Sequence, residues 1–204
     1  MIRNWDANET GPLLELWLES TIHAHPFIAE SYWHDSLAIV RDVYLPSAQT
    51  WVWEQDGVLK GFISVMESRF IGALFVAPDA ARQGIGSALI GEVKKHYGWL
   101  TLEVYQKNVQ AVNFYHAQGF RIEDCAWQDE TQHPTWIMHW SADQMPSAYA
   151  RARYTFPARP APYFRRSRYP AAMSEYLWSA RSPHRFCKFP PEGRDRATPL
   201  HASR

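Results

Sequence analysis

Val76-Ala77-Pro78-Asp79-Ala80-Ala81-Arg82-Gln83-Gly84-Ile85-Gly86-Ser87 leads from an apolar, β-rich run into a helix by way of two glycines. Upstream, Phe70 to Val76 reads as a strand ended by Pro78. Downstream, Ile85 to Tyr97 reads as a helix with Ile85, Ala88, Leu89 and Val93 facing inward. Lys94, Lys95 and His96 suit the negative end of that helix, and Gly98 is expected to close it in the left-handed conformation. Side-chain-free backbone at Gly84 and Gly86 lets amides point at an anion, which the unpaired N–H groups and dipole of a helix start attract. A plain structural turn uses the same glycines, so the motif alone leaves both readings open. Two nucleotide readings fail: a dinucleotide fingerprint needs Gly or Ala where Leu89 stands, and a Walker motif needs a G-K-[ST] that is absent. The ligand that suits the turn best is a diphosphate held by main chain, with charge from Arg82 and from Lys107.

The flanking sequence predicts a single mixed sheet with helices around it. Ile2 to Trp5 reads as a first strand, and Thr10-Gly11-Pro12 opens a helix whose Leu13, Leu14, Trp17 and Leu18 recur at helical spacing. A second helical stretch runs from about Ser31 to Tyr44 and is expected to stop near Pro46. Trp51 to Glu54 and Val58 to Met66 are strands joined by Gln55-Asp56-Gly57, where Asp-Gly supplies the positive φ of a tight hairpin. Trp51 and Trp53 read as core and surface packing on that hairpin. Leu100 to Val104 is a further strand, Val109 to Gln118 a short helix ending at Gly119, and Phe120 to Trp127 and Thr135 to Trp140 complete the pattern. The order β-α-α-β-β-β-α-β-α-β-β implies an α/β protein of the mixed-sheet, α+β kind.

Charge divides the chain. Residues 1 to 144 hold 9 Lys plus Arg against 18 Asp plus Glu; residues 145 to 204 hold 12 against 3, with 9 of the 14 prolines. The expected organisation is a folded domain over 1–143 and a basic, Pro- and Arg-rich tail over 144–204 without regular structure. That tail would hold RNA by charge and stacking, or else be an extension without a role. No run of about 18 apolar residues exists, and the first residues lack the features of a signal peptide, so a cytoplasmic protein without membrane contact is expected. Cys125 and Cys187 have no metal-spaced neighbours; Cys125 reads as a reduced strand residue and no metal is expected. His23 and His25 share one loop but lack a third ligand, and read as cleft or surface residues.

Two strings together carry a family likeness: F-V-A-P-x-x-x-R-Q-G-I-G-S-A-L, and N-x-x-A-x-x-F-Y-x-x-x-G-F from Asn108 to Phe120. They resemble the GNAT acetyltransferase superfamily over about residues 2 to 140. More narrowly, L-E-L-W-L-E-S-T, H-P-F-I, L-E-V-Y-Q-K-N and P-T-W-I-M look like its bacterial protein-lysine acetyltransferases. The resemblance implies acetyl-CoA as co-substrate, its diphosphate on the backbone of Arg82, Gln83, Gly84, Ile85, Gly86 and Ser87, and its pantetheine arm beside Asn108. One departure stands out: the usual Gln or Arg three positions before the first glycine is Ala81, which shifts the load to main-chain amides and Arg82.

Acetyl transfer to an amine needs a neutral nucleophile, a donor for the oxyanion and a proton for the departing thiolate. The resemblance puts Tyr115, seven residues beyond Asn108, in the acid role; the same tyrosine also fits a helical core position. Asn108 is a helix cap whatever else it does. Glu103, opposite in facing to Leu102 and Val104, is the expected base, with Glu67 as its rival. Oxyanion stabilisation is expected from backbone at Phe75 and Val76, where the family's strand bulges and splays. Phe70, His25 and Trp33 are expected to border the acceptor. Cys125 has no activating neighbour, so direct attack in a ternary complex is expected rather than a covalent intermediate. An acidic domain favours cationic acceptors. Protein lysine is the favoured one, with α-amines, small amines and aminoacyl-tRNA as the alternatives.

Overall fold

The computed structural model describes residues 1–67 and 69–143, together with a two-residue strand at Arg165–Arg166. Strands β1 (Ile2–Asn4), β2 (Ala48–Gln55), β3 (Val58–Met66), β4 (Phe70–Val76), β5 (Trp99–Tyr105), β6 (Arg121–Gln128), β7 (His133–Ser141) and β8 (Arg165–Arg166) form one sheet in the order β1-β2-β3-β4-β5-β7-β6-β8. Helices α1 (Thr10–Ala24), α2 (Glu30–Ile39), α3 (Leu45–Ser47), α4 (Ile85–Lys94) and α5 (Val109–Ala117) pack around it. This is the expected element order and sheet class. The expectation of an unstructured tail lies outside the described residues, apart from β8, whose backbone pairs in parallel with β6 at Ala126 and Trp127.

Local chemistry explains most boundaries. Asp6 caps the turn before α1 by accepting from the Asn8 N–H, while Glu9 accepts from the Asp6 N–H, a reciprocal capping box. Arg3 binds Glu9 and Glu54 together at 2.6–2.8 Å, tying β1 to that turn and to the end of β2. The β2–β3 hairpin turns on Asp56 and Gly57 alone, both at positive φ (52° and 77°), as a two-residue turn with right-handed strand twist requires.

Three details differ from the sequence reading. The second helical stretch ends at Ser47, near Pro46 as expected, but on the way it widens into a π-helical turn over Val40–Tyr44 before the short α3. Helix α4 ends at Lys94, closed by Lys95 and His96 N–H groups bonding three residues back, and Gly98 has no positive φ. Trp51 and Trp53, two residues apart, share one face; Trp51 is buried and Trp53 half-buried against the core.

The core lies between the sheet and its helices, with Trp17, Trp33, Tyr44, Phe62 and Phe120 fully buried. Helix α4 comes so close to β3 that only glycine fits at position 61. A Cβ there would stand 2.9 Å from Ile85 Cγ2 and 3.1 Å from the Phe75 carbonyl oxygen. Gly61→Ala is therefore expected to destabilise the fold by about 1–3 kcal/mol through overpacking, read from the urea midpoint. An unchanged midpoint would mean that α4 does not sit this tightly on β3.

Candidate active site

The sheet parts in its middle. β4 and β5 are parallel neighbours paired only at Phe70↔Thr101 and Ile71↔Leu102, after which they separate. Against β3, Ser64 pairs with Ala73 and Val65 with Ile71, so Gly72 is an extra residue, a bulge at the point of separation. Bulge and splay are expected at Phe75 and Val76; the bulge stands earlier, at Gly72, and the splay extends through those residues. Antiparallel pairing alternates hydrogen-bonded and open residues. Because the Ala77 N–H bonds to the Lys60 carbonyl, Phe75 spends its amide on β3, while Leu74 and Val76 turn theirs into the gap. Ser20 Oγ donates to the Val76 carbonyl at 3.3 Å from the gap side, in keeping with that alternation.

The gap is the floor of a cleft of about 840 Å³, bounded by the C-terminal end of α1, the N-terminal end of α4, β5 and α5. At one end, Arg82 (φ 63°) and Gly84 (φ 82°) are both left-handed, and Gly84 caps α4 without a side chain. The first amide bonded within the helix is that of Ala88, to Gly84. The N–H groups of Ile85, Gly86 and Ser87 are thus left open to the cleft mouth, where the helix dipole is positive. A Cβ on Gly86 would lie 3.2 Å from the Phe114 ring, so the second glycine lets α4 and α5 approach. Arg82 is exposed, borders the cleft and makes no ion pair among the described residues; Gln83 is exposed but does not border it. Glycine backbone, open amides and one uncommitted guanidinium fit a diphosphate.

Opposite stands α5. Asn108 Oδ1 accepts from the Ala111 N–H at 3.1 Å, and its carbonyl accepts from Val112, so its oxygens serve the cap. Its amide NH₂ makes no hydrogen bond among the described residues. Tyr115 borders the cleft at 9% exposure, wedged edge-on between Phe114 and Phe120. Burial pushes its phenol pKa up, which keeps the proton on the oxygen. Across the cleft, Glu103 accepts from Thr135 Oγ1 (2.5 Å) and Gln128 Nε2 (3.1 Å), so strands β7 and β6 orient its carboxylate. Glu67, the rival base, is exposed in the turn after β3 and does not border the cleft.

The end of the cleft remote from α4 is aromatic. His25 and Trp33 both border it, with rings 5.2 Å apart. Phe27 and Tyr105 stand 5.8 and 5.3 Å from His25. Neither was singled out from sequence, although Tyr105 follows Glu103 by two residues and so shares its strand face. Tyr32 donates to Glu130 at 2.6 Å and Tyr105 bonds Thr131, tying the β6–β7 turn to this wall. The Lys107 ammonium donates to His133 Nε2 (3.1 Å) and lies over the Phe27 ring. Phe70 is buried at the start of β4 and does not border the cleft: it belongs to the core because it precedes the separation. Cys125 is buried and reduced on β6, its thiol pKa pushed up by burial and by Asp124, and it too lies off the cleft. Among the described residues no three His, Cys, Asp or Glu side chains gather at metal-binding reach, and no helix is long and apolar enough to cross a membrane.

A mixed sheet parted at its parallel pair, with an open helix start at one end of the gap, is the architecture of an N-acetyltransferase. Residues 15–131 match the family model described as an acetyltransferase (GNAT) domain, and the chain belongs to that family. It is 60% identical to the peptidyl-lysine N-acetyltransferase YiaC of Escherichia coli, over 71% of this chain and 99% of that protein. Among solved structures, the apo form of YjaB from Escherichia coli superposes with a TM-score of 0.60 at 27% identity, over 69% of this chain and 96% of that one. PaiA N-acetyltransferase of Thermoplasma acidophilum, solved with coenzyme A, shares the fold with a TM-score of 0.59 at 22% identity, over 69% and 98%.

One cleft residue has a pH signature. Burial lowers the His25 pKa from 6.5 to about 4, against a smaller opposing effect of its hydrogen bond to Thr21. Between those values the unfolded chain takes up a proton that the folded one refuses. Stability is therefore intact above about pH 6.5 and falls with acidification towards pH 4, by up to about 3 kcal/mol from this group. Urea midpoints from pH 7 to pH 4 are expected to fall less in His25→Gln than in the wild type. Parallel curves would show that His25 is not buried neutral.

Proposed function

We propose that the chain transfers the acetyl group of acetyl-CoA to lysine side chains of proteins, by direct attack within a ternary complex. The observation that carries this reading is the convergence of Glu103, Tyr115 and the open α4 start on one cleft. The name of the 60% identical relative, a peptidyl-lysine N-acetyltransferase, supports the acceptor. The bound thioester supplies an activated acyl carbon and a thiolate leaving group.

In this reading the amides of Ile85, Gly86 and Ser87, with Arg82, hold the diphosphate, and the Asn108 amide donates to the pantetheine arm. The Val76 N–H, with that of Leu74 beside it, faces the thioester carbonyl oxygen where negative charge develops. At neutral pH roughly one lysine in a few thousand is uncharged, so an unassisted amine would lose about 4–5 kcal/mol to protonation. Glu103 takes that proton directly or through a water. As the C–S bond breaks, the departing sulfur takes its proton from Tyr115, which burial keeps protonated throughout the working range, and the proton released by the new amide nitrogen restores the phenol. A cysteine acyl-enzyme has no place in this route, since the one described cysteine lies off the cleft.

Incubation of the purified chain with acetyl-CoA and a lysine-bearing protein, followed by mass-spectrometric mapping, is expected to find acetyl-lysine. Tyr115→Phe and Glu103→Gln should each lower kcat by about 10² or more while calorimetric affinity for acetyl-CoA stays the same. Efficient modification of a small amine, an α-amine or aminoacyl-tRNA with lysine peptides untouched would overturn the acceptor. An unchanged rate in Tyr115→Phe would overturn the acid.

A further inference from the structure

His25 is buried and borders the cleft, yet the chemistry above gives it no task. Its attachment is specific. Nδ1 lies 2.8 Å from the Thr21 carbonyl oxygen and 3.2 Å from Thr21 Oγ1. A carbonyl oxygen only accepts, so Nδ1 carries the hydrogen, and in a neutral ring Nε2 is then left with an in-plane lone pair. Nε2 has no hydrogen-bond partner among the described residues. Nor is it sealed off, unlike the buried and unpartnered indole N–H groups of Trp5, Trp33 and Trp53. The ring is clamped on three sides, with Phe27, Trp33 and Tyr105 at 5.2–5.8 Å, so it is not free to rotate. Tyr105 in turn shares a strand face with Glu103, two residues along β5, and His25, Tyr105 and Glu103 all line the same cleft.

We propose that Nε2 of His25 accepts a hydrogen bond from the attacking amine, so that His25 and Glu103 together aim its lone pair at the thioester carbon. A neutral primary amine has two N–H bonds and one lone pair. With one N–H on the Glu103 carboxylate and the other on Nε2, the lone pair has a single direction left. His25 forms no bond to the acyl group and carries no proton away; it orients the nucleophile and selects acceptors with two N–H groups over N-alkylated ones. Its lowered pKa suits this task, since an imidazolium would repel the amine and offer it no acceptor. The inference rests on the acetyltransfer reading of the cleft and deepens it.

Two substitutions separate this role from packing. His25→Asn keeps a donor where Nδ1 meets Thr21 and leaves nothing at Nε2; His25→Gln reaches the Nε2 position with its amide oxygen and gives up the Thr21 bond. For a lysine peptide at saturating acetyl-CoA, kcat/KM is expected to fall about tenfold or more in His25→Asn and about threefold at most in His25→Gln, with the acetyl-CoA KM unmoved in both. A merely structural histidine predicts the opposite order, and that order, or equal losses, overturns the proposal. The wild-type enzyme gives a reading that needs no variant: with coenzyme A bound, adding lysine peptide should move the ¹⁵N resonance of His25 Nε2 and leave Nδ1 in place. An unmoved Nε2 overturns the proposal as well. A wild type that leaves lysine peptides unmodified removes the acceptor assignment and this inference together, whereas an active wild type with the reversed order removes only the inference.

Discussion

The separation of β4 from β5 after Ile71 is the constraint on which the site depends. Continued parallel pairing would bury the amides of Leu74 and Val76 in the sheet and leave no cleft. Keeping a sheet open in its middle has a cost, because each unpaired buried amide forfeits about 1–3 kcal/mol unless water or a ligand meets it. Several features hold the strands apart. The bulge at Gly72 bends β4 where pairing stops, Ser20 reaches from α1 to the Val76 carbonyl, and the aromatic wedge of Phe114 and Tyr115 lines the other bank. The sheet is thus left incomplete at the cleft, in keeping with local structural rules being broken at functional sites.

The two ends of that opening have opposite character. At the α4 end, open amides and an unpaired Arg82 supply positive potential without any buried side-chain charge, so the cradle suits an anion with little desolvation of its own. At the other end stand aromatic rings, a neutral histidine and Glu103, whose carboxylate is held by Thr135 and Gln128. In the proposed reaction an anionic carrier and a cationic acceptor would meet complementary surfaces at the two ends of one sheet gap. The acidic balance of residues 1 to 144 adds a long-range field that attracts cations.

What was legible in the sequence was local. The Asp56-Gly57 turn, the glycine-capped start of α4 and the Asn108 cap of α5 are each written in a few adjacent residues, and all three occur as read. What failed depended on contacts between distant segments. The π-helical turn over Val40–Tyr44, just before Pro46, leaves no trace in local propensity. Gly98 looked like a helix cap, but α4 had already ended at Lys94. Gly61 and Gly72 gave no signal at all. One matters through the closeness of α4 to β3 and the other through strand register, and neither is encoded by neighbours in sequence. Phe70 was drawn into the acceptor wall because its strand reaches the cleft; it misses because the strands are still paired at that residue.

The same distinction explains why a single face of β5 supplies both Glu103 and Tyr105 to the cleft. Alternation sends Leu102 and Val104 into the core and turns Thr101, Glu103 and Tyr105 the other way, so one strand anchors the sheet and presents the acceptor side of the cleft at once. β7 pairs along the full length of β5, and through Thr135 it fixes the Glu103 carboxylate. β4 leaves β5 after two residues. Rigid pairing on one side and none on the other suits the role of base proposed for Glu103: an oriented carboxylate on a fixed strand, facing a space that the sheet itself does not fill.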